Sequence, residues 1–554
     1  MKKNTIDIKN IAYIVLLSFL IIHLIFYTFV GSKTYMNGDS TFIIDYSVEQ
    51  IKTGKIFPEN YIHANDFWIY SLIPILTPLI KLGCNFLLSR QIAVFVQSVL
   101  LILLVIDLFG REIKDKTGLK IALILLLSSI SGQFVHEIFG DASYGTVVFY
   151  MLLEMLLFIK ILKENSKYKI LYLVFFSVIL IFITACSLRF PIYLGAPLIC
   201  VLLYLIYRNN GLKKEYIAVG LAIVISILIG FLENRYLTMT NNLETNYKLN
   251  FIVETNKSLD TNSSYMTYNY LQMCGSTFIN TKGLQIEHYN DDIFVSSPLV
   301  ALTFCRFIFA IVSLIIPFVL LKHIKEMKFA EIVLLLFSLS LLILITFFLL
   351  IGGMAWWNRY IAPVVFFLTL LYPLCYRYIF SNENRKKVVF AIFMVLCVIS
   401  SLYFVITSYF DYNTFTIREN EYQSSTDFLL SNNLNYGYTY YIGSNIFYTL
   451  SEGKIRAFPI DVNGTSIRRW QYSTDYLGTD YYNGKVFLIK DKRSITLPVE
   501  AVASKSYIVD RYKVLIFDSN EIFLKGLEDL KFDENVDINN INANLEGINY
   551  INDK

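Results

Sequence analysis

The chain has 554 residues, of which 55% are hydrophobic and 17% charged, with a net charge of +4 and a mean hydropathy of +0.52. Soluble globular chains are about 45–50% apolar and about 25% charged. This composition excludes a soluble enzyme, a disordered protein and a nucleic-acid-binding protein. The seven cysteines have no CxxC spacing, so neither a disulfide framework nor a zinc knuckle is predicted.

Eleven apolar segments are long enough to cross a bilayer, and each must be helical because hydrocarbon cannot satisfy free backbone groups. They cover residues 11–30, 90–109, 118–133, 145–163, 168–186, 190–207, 215–232, 298–321, 329–351, 359–379 and 387–408. The first segment lacks a small-residue cleavage site, so we interpret it as a retained span. The short segment 67–83 contains Pro74 and Pro78 and is predicted to lie on or dip into the membrane surface. The alternative is a twelfth span.

Basic residues predict the orientation of these spans. Every second connection is rich in Lys and Arg, whereas the short opposite loops 134–144, 187–189 and 352–358 hold only Arg189. The charge pattern therefore predicts a cytoplasmic N-terminus, and an odd number of spans places the C-terminus outside. A twelfth span would invert this pattern after residue 83.

The sequence predicts a polytopic α-helical membrane protein with a C-terminal extracytoplasmic α/β domain. Residues 1–410 form the membrane module, with outer loops at 31–89, 134–144, 233–297 and 352–358, and residues 411–554 form the domain. In the domain, 424–432 is predicted to be helical, and strands are predicted at 438–442, 454–460, 485–490 and 507–517. There is no Walker lysine motif and no Gly-rich dinucleotide turn, so the chemistry is expected on the outer face.

The first candidate site follows the first span at Asn37-Gly38-Asp39-Ser40. Apolar residues then recur at helical spacing until Gly54, which places Asp39 beside the start of a helix. The positive end of a helix dipole favours an ionised, fixed carboxylate, as a general base requires. The alternative is that Asp39 only caps the helix.

The second candidate site is the loop between the third and fourth spans, which carries His136, Glu137 and Asp141 without a basic residue. These side chains can orient an acceptor hydroxyl or bind a divalent cation. The alternative is a solvated acidic loop. The spacing is not HExxH, so it does not indicate a zinc protease.

Two arginines on the outer face form the third candidate site. Arg189 lies in a very short turn, and Arg359 follows Trp357 at the start of the tenth span. Guanidinium groups bind phosphate through paired hydrogen bonds, and lipid phosphates lie at this depth. The alternative is anchoring at the interface by snorkelling and aromatic residues. Within the spans, Glu154 and Arg306 are expected to pair with each other.

The order of these motifs resembles the GT-C superfamily of integral-membrane glycosyltransferases. The resemblance is strongest to the branch that holds protein mannosyltransferases and the lipid A aminoarabinose transferase. It rests on residues 37–54, 136–157 and 359–363, where Arg359-Tyr360-Ile361-Ala362-Pro363 matches a late Arg-Tyr-x-x-Pro, and on the tail stretch 441–454. One departure is Asp39-Ser40, where the mannosyltransferases often have an Asp-Glu pair.

The resemblance implies a transferase that moves a sugar from a polyprenyl phosphate to an envelope acceptor on the outer face by an inverting single displacement. In a bacterium the carrier would be undecaprenyl phosphate, and the acceptor a polysaccharide, teichoic acid, lipid or protein. Asp39 would be the base, and Arg359 and Arg189 would bind the phosphate. Glu137 and Asp141, also catalytic, would orient the acceptor or help the base.

The same resemblance places three further side chains in the donor or acceptor pocket: His136, Tyr360 and Trp357. No cofactor is required, because arginine meets the phosphate charge, although Glu137 and Asp141 leave a divalent cation open.

Two other functions are alternatives. A polysaccharide polymerase or ligase with lipid-diphosphate donors is expected to carry Arg and His in one very large outer loop, but loop 233–297 holds only Arg235 and His288. A flippase or lipid-linked sugar transporter is expected to show repeats and broken helices at mid-membrane, and it leaves the long tail unexplained.

Overall fold

Apolar helices dominate the structure. The computed structural model describes residues 8–141, 143–163, 168–209, 211, 213–241, 243–244, 259–275, 297–351, 358–381, 383–411, 414–461, 464, 466–494 and 496–529. Within these ranges, ten helices are long and apolar enough to cross a membrane, and a strongly bent pair makes an eleventh span. Together they coincide with the eleven predicted spans, so the prediction of a multi-pass membrane protein is confirmed. Most of loop 233–297, and residues 530–554, lie outside the described residues.

The membrane module contains sixteen α-helices in chain order. They are α1 Ile8–Phe29, α2 Gly38–Thr53, α3 Ile73–Lys81, α4 Phe86–Asp107, α5 Lys116–Leu127, α6 Gly132–Val135, α7 Ser143–Leu162, α8 Lys169–Cys186, α9 Ala196–Arg208, α10 Lys214–Thr240, α11 Leu259–Met273, α12 Ser297–Leu321, α13 Phe329–Ile351, α14 Ala362–Thr369, α15 Tyr372–Cys375 and α16 Asn384–Tyr409.

The third span is broken rather than continuous. Helix α5 and the segment formed by α6 and the π-helical turn His136–Gly140 meet at 95°. Between them, Ser129 and Ile130 have φ angles of 68° and 43°, in the left-handed region that ends a helix. The side chain of Ser131 then caps α6 by accepting a hydrogen bond from the Phe134 amide. The break redirects the chain before the acidic turn around Glu137 and Asp141.

The two charged residues inside the spans do not pair, so the expected ion pair between Glu154 and Arg306 is wrong. Arg306 donates to the Cys274 carbonyl at 2.7 Å and to Ser401 Oγ at 2.9 Å, and it thereby joins α12 to the end of α11 and to α16. The carboxylate of Glu154 is fully buried in α7 and has no hydrogen-bond partner among the described residues.

The C-terminal region is an α/β domain built on a five-stranded sheet of order β6-β5-β8-β10-β9. Its strands are β5 Tyr436–Tyr440, β6 Arg456–Ile460, β8 Val486–Asp491, β9 Lys505–Val509 and β10 Tyr512–Phe517, and its helices are α17 Gln423–Ser431, α18 Tyr441–Leu450 and α19 Asn520–Asp529. Strand β5 is parallel to both neighbours, whereas β8, β10 and β9 are antiparallel.

Two strand predictions need correction. The strand expected over 438–442 ends at Tyr440, because α18 starts at the next residue. The strand expected over 507–517 is a hairpin, whose turn contains Asp510 with a φ of 52°.

The first loop is part of the same domain assembly. A second sheet has the order β2-β1-β7, in which β1 Tyr61–Ala64 is parallel to β2 Leu243–Glu244 and antiparallel to β7 Tyr472–Ser473. A short hairpin of β3 Phe410–Asp411 and β4 Thr416–Ile417 connects α16 to the domain. The domain therefore docks on the face of the membrane module that carries the first loop, which we call the domain face.

We expect Gly145→Ala to destabilise the module. A Cβ at Gly145 would clash with the Ile138 carbonyl oxygen and lie 2.6 Å from Gln97 Nε2. Overpacking of this kind lowers the free energy of unfolding by about 1–3 kcal/mol. The loss is measured as a lower melting temperature in detergent. Gly110→Ala is the control, because nothing lies within 4 Å of a Cβ there. Equal melting temperatures for the two variants would contradict the packing assigned to Gly145.

Candidate functional site

An ion pair lies at the centre of the domain face. Arg359 Nη1 donates to Asp39 Oδ2 at 2.9 Å, and the two side chains are 27% and 29% exposed. Asp39 lies in the first turn of α2, whose N-cap is Asn37 in a capping box with Ser40. As the sequence predicts, the helix ends at Gly54, with a φ of 68°. Asp39 is therefore held at the positive end of a helix dipole and beside a guanidinium group.

Arg359 reaches this position from a short 3-10 helix, Asn358–Ile361, which leads into α14. Its neighbour Tyr360 is buried, and the Tyr360 carbonyl accepts a hydrogen bond from Tyr193 Oη at 2.9 Å. This contact fixes the backbone next to the arginine. Trp357, predicted to line the same pocket, lies outside the described residues.

A second carboxylate lies close to the ion pair. Glu137 is buried in the π-helical turn and accepts a hydrogen bond from Gln133 Nε2 at 3.0 Å. It interacts electrostatically with both Arg359 and Asp39. Two acids and one cation, from three separate parts of the chain, thus interact electrostatically.

Asp141 instead belongs to a buried link. Its Oδ1 lies 3.3 Å from Arg90 Nη2, and its Oδ2 accepts a hydrogen bond from Ser143 Oγ at 3.0 Å. Arg90 also donates to the carbonyl oxygens of Ser40 and Gly140, at 2.8 and 3.2 Å. The arginine thereby joins the start of α2 to the acidic turn.

Both carboxylate oxygens of Asp141 are engaged. They accept hydrogen bonds, one of them from a guanidinium group. Within the described ranges, no group of three or more His, Cys, Asp or Glu side chains is arranged to hold a metal ion. The divalent cation that the sequence leaves open at Glu137 and Asp141 stays a prediction.

Arg189 lies in a second ion pair. Its Nη2 is 2.7 Å from Asp66 Oδ2, and its Nη1 donates to Tyr144 Oη at 2.9 Å. Its guanidinium carbon lies 5.5 Å from the Trp68 ring centre and 5.7 Å from that of Tyr360. Burial raises the pKa of the Asp66 carboxyl, and the charge of Arg189 opposes this rise. Arg189 therefore forms an ion pair with a buried acid and packs against aromatic residues beside Arg359.

His136 is half-buried at the edge of the site. Its ring lies 5.6 Å from that of Tyr35, and its Nδ1 has no hydrogen-bond partner among the described residues. The sequence predicts His136 in the substrate pocket, and the structure places it one residue from Glu137.

A cleft opens beside Asp39. It is lined by Asp39, Ser40, Phe42, Ile43, Trp68, Ser71, Leu72, Asp141 and Ser143. Hydroxyl and carboxylate groups meet an indole ring here, a combination that suits a hydroxylated group with one apolar face.

Sequence reasoning missed Arg90 and Asp66. Arg90 stands at the start of a predicted span, on the side of the membrane module whose short loops hold few basic residues. A basic residue on that side was the available signal. Asp66 had no comparable signal, because its partner Arg189 is 123 positions away along the chain.

Most of the chain resembles a solved structure in fold. The crystal structure of ArnT from Cupriavidus metallidurans bound to undecaprenyl phosphate superposes with a TM-score of 0.50 and 12% sequence identity, covering 91% of this chain and 98% of ArnT. The chain has the ArnT fold. This finding confirms the predicted fold class, a helical membrane module with a C-terminal α/β domain. No protein-family model matches the sequence, and no curated protein matches it.

In this ArnT-like fold, we expect Arg90→Met to be strongly destabilising. The substitution leaves the Asp141 carboxylate buried without its cation, and breaking a buried pair in this way costs about 3–5 kcal/mol. Thermal unfolding in detergent measures the loss. The matched control is Arg111→Met, because that side chain is 82% exposed beside Asp107 and surface changes stay within about 0.5 kcal/mol. A small, equal effect of both substitutions would rule out a linking role for Arg90.

Proposed function

We propose that this protein is a glycosyltransferase that moves a sugar from a polyprenyl phosphate to a hydroxyl group of an envelope acceptor. The observation that carries the proposal is the ion pair of Asp39 and Arg359, a carboxylate and a phosphate-binding group at the membrane edge. The ArnT fold supports it, since ArnT was crystallised with undecaprenyl phosphate.

The proposed reaction is a single displacement. Asp39 takes the proton of the acceptor hydroxyl while the oxygen attacks the anomeric carbon of the donor. The bond from that carbon to the phosphate oxygen breaks, the polyprenyl phosphate leaves with the electron pair, and the anomeric configuration inverts. Arg359 stabilises the charge that develops on the phosphate, a contribution of about 2.7–4 kcal/mol for one preorganised donor.

In our proposal the ion pair determines the order of donor binding and proton transfer. While Arg359 binds Asp39, the carboxylate oxygen Oδ2 is engaged in a hydrogen bond from the guanidinium group. A phosphate that binds Arg359 competes with Asp39 and releases it. In our proposal the base becomes active only when the donor is bound, which limits unproductive proton transfer.

The cleft beside Asp39 would receive the acceptor. In our proposal Ser71 and Ser143, which line the cleft, offer hydroxyls to the attacking hydroxyl group. In our proposal Glu137 orients the acceptor. Arg189 and Asp141 stabilise the surrounding residues of the site and do not contact the phosphate. In our proposal the reaction takes place on the outer face and the C-terminal domain is extracytoplasmic, as the charge pattern predicts.

We expect Asp39→Asn to abolish transfer while retaining the carrier. Loss of a general base lowers the rate by about 10²–10⁴-fold. Undecaprenyl phosphate should bind as tightly as before, or more tightly, because Arg359 loses its competitor. Purified protein with a panel of undecaprenyl-phosphate sugars and an acceptor extract tests this, with carrier release followed by mass spectrometry.

Two further variants complete the design. Arg359→Met should lose both transfer and undecaprenyl phosphate binding. Asp107→Asn should lose neither, because Asp107 pairs with Lys160 at the opposite end of α4. Transfer by Asp39→Asn at the wild-type rate would contradict Asp39 as the base. No carrier release from any donor would contradict the transferase itself.

We also expect chelation to leave transfer unchanged, because Arg359 supplies the charge that a metal would otherwise bring to the phosphate. Wild-type rates are compared with and without EDTA. A loss of activity that Mg²⁺ or Mn²⁺ restores would contradict this expectation.

A further inference from the structure

The helix that carries Asp39 bears two more acids on the surface covered by the C-terminal domain. Asp45 and Glu49 lie four residues apart in α2, on one face of the helix, and are 2% and 1% exposed. Two buried carboxylates so close together need a cation, since charge burial is costly without one. Burial raises the pKa of Asp45, and Arg456 opposes this rise.

Arg456, the first residue of β6, supplies that cation from the C-terminal domain. Its Nη1 lies 3.1 Å from Asp45 Oδ1, and its Nη2 lies 3.8 Å from Glu49 Oε1. Its guanidinium carbon lies 3.5 Å from the ring centre of Tyr476, and Tyr476 Oη donates to Glu49 Oε1 at 2.6 Å. The arginine is thus fixed by an aromatic face as well as by charge.

The domain also touches the other end of α2. A Cβ at Gly38 would lie 2.5 Å from the Tyr441 carbonyl oxygen and 2.9 Å from that of Ile442. Only glycine permits this close approach of α18 to the start of α2. Asp39, the residue after Gly38, therefore lies between two contacts with the domain.

The attachment of the domain does not depend on these contacts alone. Strand β1 pairs with β7, and Asn420 Nδ2 donates to the carbonyl oxygens of Lys33 and Met36 at 2.8 Å each. The domain therefore has other connections to the first loop. Arg456 acts on α2 in particular.

We propose that the C-terminal domain positions the reacting carboxylate, with Arg456 as a positioning residue that holds α2, and with it Asp39, in register with Arg359. The role in catalysis rests on the proposed function, whereas the clamp on α2 does not. Donor binding is a property of Arg359 in the membrane module, so loss of the clamp should lower kcat without raising KM for the donor.

The clamp itself is tested by hydrogen–deuterium exchange of full-length Arg456→Met in detergent. We expect exchange in residues 38–53 to rise about ten-fold or more, while exchange in the strands of the five-stranded sheet stays at the wild-type rate. Arg511→Met is the matched control, because its partners Asp491 and Glu421 lie within the domain, and it should leave α2 unchanged. Wild-type exchange of α2 in Arg456→Met would overturn the clamp.

Positioning is tested by kinetics with the undecaprenyl-phosphate sugar that the wild type uses. A displacement of a reacting group by about 1 Å can cost about 10²-fold in rate. We expect Arg456→Met to lower kcat by about ten-fold or more, while the donor KM does not rise and undecaprenyl phosphate binds at least as tightly as to the wild type. Arg456→Lys, which keeps the charge, should recover part of the loss.

Gly38→Ala should reproduce the kcat loss from the other end of α2. If Arg456→Met keeps full kcat while Asp39→Asn is inactive, positioning is overturned and the proposed function stands. If Asp39→Asn still transfers, the proposed base is wrong, and the exchange experiment still decides the clamp.

Discussion

The ion pair between Asp39 and Arg359 joins residues 320 positions apart, and the arrangement of the domain face depends on it. It brings the helix after the first span to the start of the tenth span. Each member is also held by contacts of its own, Asp39 by the capping box of α2 and Arg359 by the backbone contact of Tyr360 with Tyr193. The bond therefore joins two prepared groups and leaves both partly open to solvent.

Around this pair, most buried acids lie next to an arginine. Asp141 has Arg90, Asp66 has Arg189, and Asp45 and Glu49 have Arg456. Every such pair joins two different parts of the chain, because the cost of burying a charge is recovered only when the partner is held close. The same bonds that make burial tolerable thus set the relative positions of the first loop, the acidic turn and the C-terminal domain. Glu137 differs, since the hydrogen bond that it accepts from Gln133 comes from a neutral amide.

The sequence predicted the spans well, because bilayer thickness fixes the length of an apolar run and this signal is local. It also identified Asp39 and Arg359, since acids and arginines next to apolar runs stand out one at a time. The sequence did not predict that Asp39 and Arg359 pair with each other. It also did not predict the link through Arg90. The break at Ser129 and Ile130 was missed because neither residue type is typical of the left-handed conformation. The start of α18 was missed because Tyr440 and Tyr441 fit a strand as well as a helix.

The pairing of β1 with β7 has a consequence for the making of the protein. The first strand emerges early in synthesis, and its partner is made about 400 residues later, which takes roughly 20–80 s at ordinary elongation rates. During that time the first loop has an exposed strand edge and a helix with two acids that lack their cation. The nascent chain must therefore wait for its own C-terminal part, and a chain that stops short carries its spans without a finished first loop. The site is thus complete only after the C-terminal domain has been synthesised.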